Sequence, residues 1–434
     1  MKWELAIVAA SVLAVAGTSR LLTGTAVTPA MVFVALGVLV GPLVFDGVAE
    51  SPTAGAVRTL AEATLAIVLF ADASRIRLRA LREQYSVPLR LLGIGLPLTI
   101  ALGACLALAL FGGLNVVEAC VLAIVLAPTD AALGAAVVSE PRLPLRIRQS
   151  LNVESGLNDG ICVPLLLIAL AISEVDDNAI SANHALTILL EEIGYGIVGG
   201  AAAGLATGGL LVLAGRRRLI TGVWQQVIPV AGAALAYGVA AALGGSGFIA
   251  AFLAGSIFGG VAGSRADSAS RLNEELGDLL AGITFLVFGA ILLGPALEHV
   301  SWQIALYAAM SLTLLRMLPV AIAMAGTRAR APTVGFLGWF GPRGLASIVF
   351  AVIVVEQAHL QGLSTILDAT YITIGLSVFA HGATAAPLAN RYASWYEKHP
   401  QEEAGMESAP AVVHRTRGVR PAGDAAAQIT SAAR

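Results

Sequence analysis

The chain has 434 residues, 57% of them hydrophobic and 12% charged, with a mean hydropathy of +0.83 and a formal net charge of −2. A soluble domain of this size carries about 25% charged residues, so the composition excludes one and describes a polytopic membrane protein. Apolar runs of about 20 residues, instead of alternating strands of about ten, exclude a β-barrel, and no basic stripe interleaved with aromatics points to nucleic acid.

Hydropathy predicts an all-α chain of about thirteen membrane spans, near residues 4–22, 27–45, 55–73, 87–112, 115–139, 147–172, 185–214, 224–243, 246–263, 276–296, 302–326, 334–356 and 369–391. Met1 to Leu22 reads as the first span and not a removable signal, because Glu4 stands early and no small-residue cleavage site follows. In the second span, Gly37 and Gly41 form a small-residue packing motif that suits a helix contact, including one between subunits. Cys105, Cys120 and Cys162 lie in apolar runs without metal-like spacing and read as small hydrophobes. Positive charge gives an independent test of the count. With the N-terminus external, Lys2 and Arg58 of the 26 basic residues fall at the external side, and Arg316 and Arg343 lie deep inside spans. The rest are cytoplasmic, which fixes an odd number of spans with the N-terminus outside and the C-terminus inside. Residues 392–434, rich in Ala, Pro, Glu and Arg, read as a short disordered cytoplasmic tail.

Two spans are interrupted at matched places. Span five breaks at Ala127-Pro128-Thr129-Asp130 and span twelve at Gly341-Pro342-Arg343-Gly344. An odd count with broken helices in corresponding positions predicts two inverted-topology six-helix repeats, spans 1–6 answered by spans 8–13, and a midplane site where spans 5 and 12 cross unwound.

Span six carries the densest chemistry. Leu151-Asn152-Val153-Glu154-Ser155-Gly156-Leu157-Asn158-Asp159-Gly160 places two carboxylates, amides and a hydroxyl mid-membrane. At helical spacing Ser155 and Asp159 share one face, while Glu154 and Asn158 share the neighbouring one. Pro164 predicts an opened ladder beside Asp159, and Pro128 predicts an Ile124 carbonyl without its donor. Thr129, Asp130, Ser155 and Asp159 then offer carbonyl, hydroxyl and carboxylate oxygens, the ligands of a small hard cation. A carboxylate in low dielectric beside a second one takes up a proton more readily than one in water, so proton and cation compete for the same oxygens. Alternating exposure of such a site yields exchange, with Asp159 as the carrier and Asp130 beside it. Glu154 and Arg316 form a neutral scaffold pair, and Asn158 hydrogen-bonds without charge. One titrating carrier predicts one cation for one proton. Arg343 either bonds the freed carbonyls, the preferred reading, or tunes the field at the site. Asp72 gates the cytoplasmic approach or marks the end of span three. His299, His359 and His381 read as solvated or capping residues near span ends.

Taken together, Pro128-Thr129-Asp130, Glu154-Ser155-Gly156-Leu157-Asn158-Asp159, Arg316 with Pro319, and Gly341-Pro342-Arg343-Gly344 resemble the sodium/proton antiporters of the monovalent cation/proton antiporter-1 family, the NhaP and NHE type. The resemblance covers residues 1–391. It implies a homodimer in the cell membrane, with spans 1–3 and 7–10 as dimer domain and spans 4–6 and 11–13 as a transport core that moves as an elevator. It also implies Na⁺ or Li⁺ held by the Thr129 backbone, Asp130, Ser155 and Asp159, with no cofactor, with Asp72 as gate or ligand, and with Asn158 marking the electroneutral branch. Ala131 stands where many members have proline, and Asp72 where the acidic residue is often glutamate. Exchange of K⁺ for protons, a cation channel, or an intramembrane aspartyl protease using Asp130 and Asp159 are the competing readings.

Overall fold

Backbone surrounded by hydrocarbon has no water to bond, so each segment must satisfy its own amides, and continuous apolar runs become helices. The computed structural model describes residues 2–22, 25–44, 53–75, 86–130, 133–134, 137, 140–176, 181–357 and 360–399, and among them every regular element is helical. The longer ones, in chain order, are α1 (Lys2–Leu22), α2 (Pro29–Val44), α3 (Thr53–Ser74), α4 (Ser86–Leu110), α5 (Val116–Val125), α6 (Leu145–Asp176) and α7 (Ala182–Arg216). There follow α8 (Gly222–Ala242), α9 (Gly247–Ala262), α10 (Arg271–His299), α11 (Trp302–Ala323), α12 (Ala331–Trp339), α13 (Leu345–Gln357) and α14 (Leu363–Lys398). By length and composition 8 of the described helices can cross a membrane, namely α1, α4, α6, α7, α8, α10, α11 and α14. Shorter apolar helices lie within α2, α5, α9 and α13.

Small residues set how these helices meet. A Cβ at Gly255 or Gly259 would overlap the carbonyl oxygens of Phe70 and Ser74, so α9 lies directly on α3. The Gly37 and Gly41 motif does the same for α2, whose backbone meets the Leu286 and Ala290 carbonyls of α10. That contact is within the chain and not between subunits. Phe70, Ala203, Ala236, Ala254 and Phe258 join α3, α7, α8 and α9 in one cluster. A separate cluster built on Leu91, Ile147, Leu151, Val320, Phe336 and Tyr392 joins α4, α6, α11, α12 and α14. Outward, Leu5, Leu13 and Leu21 of α1 are each more than 70% exposed, which is tolerable where the solvent is lipid.

Two expectations are corrected. The helix α6 runs unbroken through Pro164, because one proline removes a single amide donor and the ladder resumes beyond it. The last helix continues to Lys398 and does not stop at 391, since Tyr392 stacks on Phe336 with ring centroids 4.4 Å apart and Trp395 packs beside it. Residues 400–434, like Ala131, Arg77, Arg79, Arg82 and His359, lie outside the described residues.

Candidate cation site at two helix breaks

Helix α5 ends at Val125 because Pro128 has no amide hydrogen and its ring excludes the helical carbonyl four residues back. The Ile124 carbonyl, expected to be orphaned, accepts from the Ala127 amide at 3.2 Å in a tight final turn. Among the carbonyls freed beyond that turn are those of Ala127 and Pro128. Arg343 Nη1 donates to both, at 2.9 and 3.2 Å, from a side chain that is fully buried.

The second break separates α12, which ends at Trp339, from α13, which starts at Leu345. The two breaks are stitched together. The Asp130 amide donates to the Pro342 carbonyl at 2.8 Å, and the Leu345 amide donates to Asp130 Oδ2 at 3.0 Å. A carboxylate therefore stands at the N-terminal end of α13, where unpaired amides and the helix dipole favour negative charge. Gly344 is required here, since a Cβ would overlap the Asp130 carboxylate.

Helix α6 closes the site. The Ser155 hydroxyl donates to the Thr129 carbonyl at 2.6 Å, and Asn158 Nδ2 donates to Thr129 Oγ1 at 2.7 Å. Asp159 and Ser155 are buried, at 6% and 4% exposure. With Asp72, Asp130 and Leu345 they line one small cavity, and a second one is lined by Thr129, Asp130, Ser155, Phe340 and Pro342. Three carboxylates and a hydroxyl thus line one internal space, the oxygen ligand types that a small hard cation takes. One turn away, Arg316 grips Glu154 with both nitrogens, Nη1 to Oε1 at 2.6 Å and Nη2 to Oε2 at 2.8 Å.

Asp72 reaches the cavity but also accepts from Arg75 Nη1 at 2.9 Å, and Arg75 in turn meets Glu274 at 3.2 Å. Sequence reasoning treated Arg75 as a loop charge and missed this latch. It also misplaced His381, which sits inside α14 at 1% exposure, between Ser377 and the Trp339 carbonyl. The rule that singled out intramembrane carboxylates and guanidiniums, applied to imidazole, would have found it. Glu118 was likewise overlooked. It is 1% exposed and accepts from the Asn115 and Gly362 amides at 2.9 and 2.7 Å, and the Asn115-x-x-Glu118 pattern that starts α5 was its signal.

Helices interrupted mid-length and joined at their breaks around buried carboxylates define a class, the membrane transport proteins whose sites are built from discontinuous helices. The family model for the transmembrane sodium/hydrogen exchanger matches residues 7–391, and the chain belongs to that family of monovalent cation/proton antiporters. Among its relatives is the K(+)/H(+) antiporter NhaP2 of Shewanella sp. (strain MR-4), 28% identical over 382 residues, covering 83% of this chain and 62% of that protein. The chain thus spans less than two thirds of that relative's length. A Na(+)/H(+) antiporter of Schizosaccharomyces pombe is 27% identical over 262 residues, 56% of this chain and 55% of the relative. The fold is similar to that of the sodium proton antiporter MjNhaP1 from Methanocaldococcus jannaschii at pH 8, with a TM-score of 0.72 at 20% identity over 90% of this chain and 98% of that one.

Proposed function

We propose that the protein exchanges one monovalent cation, Na⁺ by preference, for one proton at a carboxylate site that opens to the two membrane faces in turn. The observation that carries this reading is the shared cavity of Asp159, Asp130 and Ser155 at the junction of the two breaks. Asp159 is the carrier, Ser155 and the Thr129 carbonyl complete the cage, and Asp130 divides its carboxylate between the cation and the Leu345 amide. Charge supports a single cargo. With Asp159 as the one carrier, a proton or an alkali ion cancels the same negative charge. The step is then electroneutral.

The thirteen-span topology, with inverted repeats, N-terminus outside and C-terminus inside, follows from the distribution of basic residues and the matched breaks. A two-body, elevator-like motion belongs to the same reading. The α3, α7, α8 and α9 cluster would be the fixed, dimer-forming body, and the α4, α6, α11, α12 and α14 cluster the moving one. A second reading, K⁺ as the cargo, is favoured by the relatives named K(+)/H(+) antiporter NhaP2. Purified protein in proteoliposomes, loaded with a pH-sensitive dye, separates these. Exchange with Na⁺ or Li⁺ at a rate unaffected by collapsing the membrane potential is expected. A response to K⁺ alone selects the second reading, and a potential-driven flux without proton movement points to a channel and overturns both.

A further inference from the structure

We propose that His381 and Ser377 are positioning residues for the cation site, an inference that rests on the exchange reading of that site. They fix the break between α12 and α13, and through Arg343 they hold the freed carbonyls of the broken α5. An imidazole in its neutral form has one N–H and one lone pair, and both have partners here. Nε2 lies 3.0 Å from the Trp339 carbonyl, and Nδ1 lies 3.2 Å from the Ser377 hydroxyl and 3.1 Å from the Ser377 carbonyl. The tautomer with hydrogen on Nε2 donates to Trp339, the last residue of α12, and so satisfies a carbonyl that the helix end leaves over. Nδ1 then accepts from the Ser377 hydroxyl, whose oxygen is free to accept the Arg343 amide at 2.6 Å.

A third group on the same helix addresses the same break, since Thr384 Oγ1 accepts from the Trp339 indole at 3.0 Å and the His381 ring lies 5.0 Å from the indole. Helix α14 thus holds the end of α12 through Trp339 and the approach to α13 through the Arg343 backbone. The Arg343 side chain starts from that fixed backbone and ends on Ala127 and Pro128, the residues that precede Thr129 and Asp130. Ser377, His381 and Arg343 are all at most 1% exposed, so no water replaces a lost bond. A relay of this kind acts on the geometry of the oxygen cage, and therefore on affinity for the cation, more than on the rate of domain movement.

The test is the cation dependence of exchange in proteoliposomes. H381A and S377A should each raise the half-saturating cation concentration about fivefold to tenfold, as the loss of one buried hydrogen bond implies. The maximal rate should stay near wild type. S377T, which keeps the hydroxyl, and H381Q, whose amide nitrogen takes the place of Nε2, should return towards the wild-type value. Wild-type half-saturation in both alanine variants, or a loss confined to maximal rate or to the amount of folded protein, would overturn the proposal. Should the alanine variants fail to fold, H381N keeps a polar group toward Ser377 and loses the donor to Trp339. It must then show the raised half-saturation that H381Q does not, and equality of the two overturns the proposal equally. Wild-type vesicles that exchange no alkali cation for protons would sink the exchange reading instead, a different outcome from any of these.

Discussion

Glu154 and Arg316 meet by two short hydrogen bonds with side chains only 3% and 4% exposed, so each charge is neutralised chiefly by the other. Removing one partner strands the other, at a cost of about 3–5 kcal/mol for a buried pair. E154A and R316A should therefore lower the thermal unfolding temperature of purified protein sharply, while the paired replacement E154L with R316M should recover most of it. Single variants that melt with the wild type would remove the pair from the account. Gly344 makes a second residue-scale prediction. In G344A the new Cβ displaces the Asp130 carboxylate, so stabilisation of the purified protein by added Na⁺ should vanish while the helical content is retained. Unchanged Na⁺ stabilisation would show that Asp130 is not held as described. Asp130, Glu154, Asp159, Arg316 and Arg343 were legible in the sequence because a charge in an apolar run is costly and stands out. Ser377 was not, since a lone hydroxyl in a helix can bond its own backbone and signals nothing by itself. Asp72 was legible as an acid but its tie to Arg75 and Glu274 was not, for that depends on how α3 meets α10.

At the scale of elements, proline and glycine carried the readable signal. The pairs Pro128 with Thr129 and Pro342 with Gly344 marked both breaks, and the helices do end at Val125 and Trp339. Pro164 carried the same residue type with the opposite outcome. It sits inside a 32-residue helix whose two flanks are packed on neighbours, and tertiary contacts override one missing hydrogen bond. The aromatic residues near 392–396 extended α14 beyond its hydropathy boundary because their rings pack on α12, which a hydropathy window does not register. The Arg343 guanidinium joins the breaks alongside the Asp130 contacts. Lysine at this position keeps a charge but presents a single ammonium in place of a planar fork. R343K should therefore fold and insert yet exchange about tenfold more slowly or worse, an effect as large as losing one to two charge-assisted hydrogen bonds. Initial exchange rates at matched protein content check it, and a rate equal to wild type would mean that the Ala127 and Pro128 carbonyls need no such partner.

For the whole molecule, composition and basic-residue placement were enough to read a multi-pass helical membrane protein, whereas how α3 meets α6 required coordinates. Gly156 of α6 faces Asp72 of α3 closely enough that a Cβ there would lie 3.4 Å from the Asp72 Cβ, close to the separation a disulfide spans. If the core slides past α3 during transport, D72C combined with G156C should stop exchange when oxidised, and reductant should restore it to the level of D72C alone. Full exchange in the oxidised pair would contradict movement at that interface. The central claim is narrower still: one carboxylate, that of Asp159, is occupied by either a proton or a metal cation and never by both. Adding NaCl to purified protein in weakly buffered solution measures this directly through the hydrogen ions released. The account predicts one proton released per protein chain on saturation and none from D159N. Cation binding without proton release, or equal release from D159N, would contradict it.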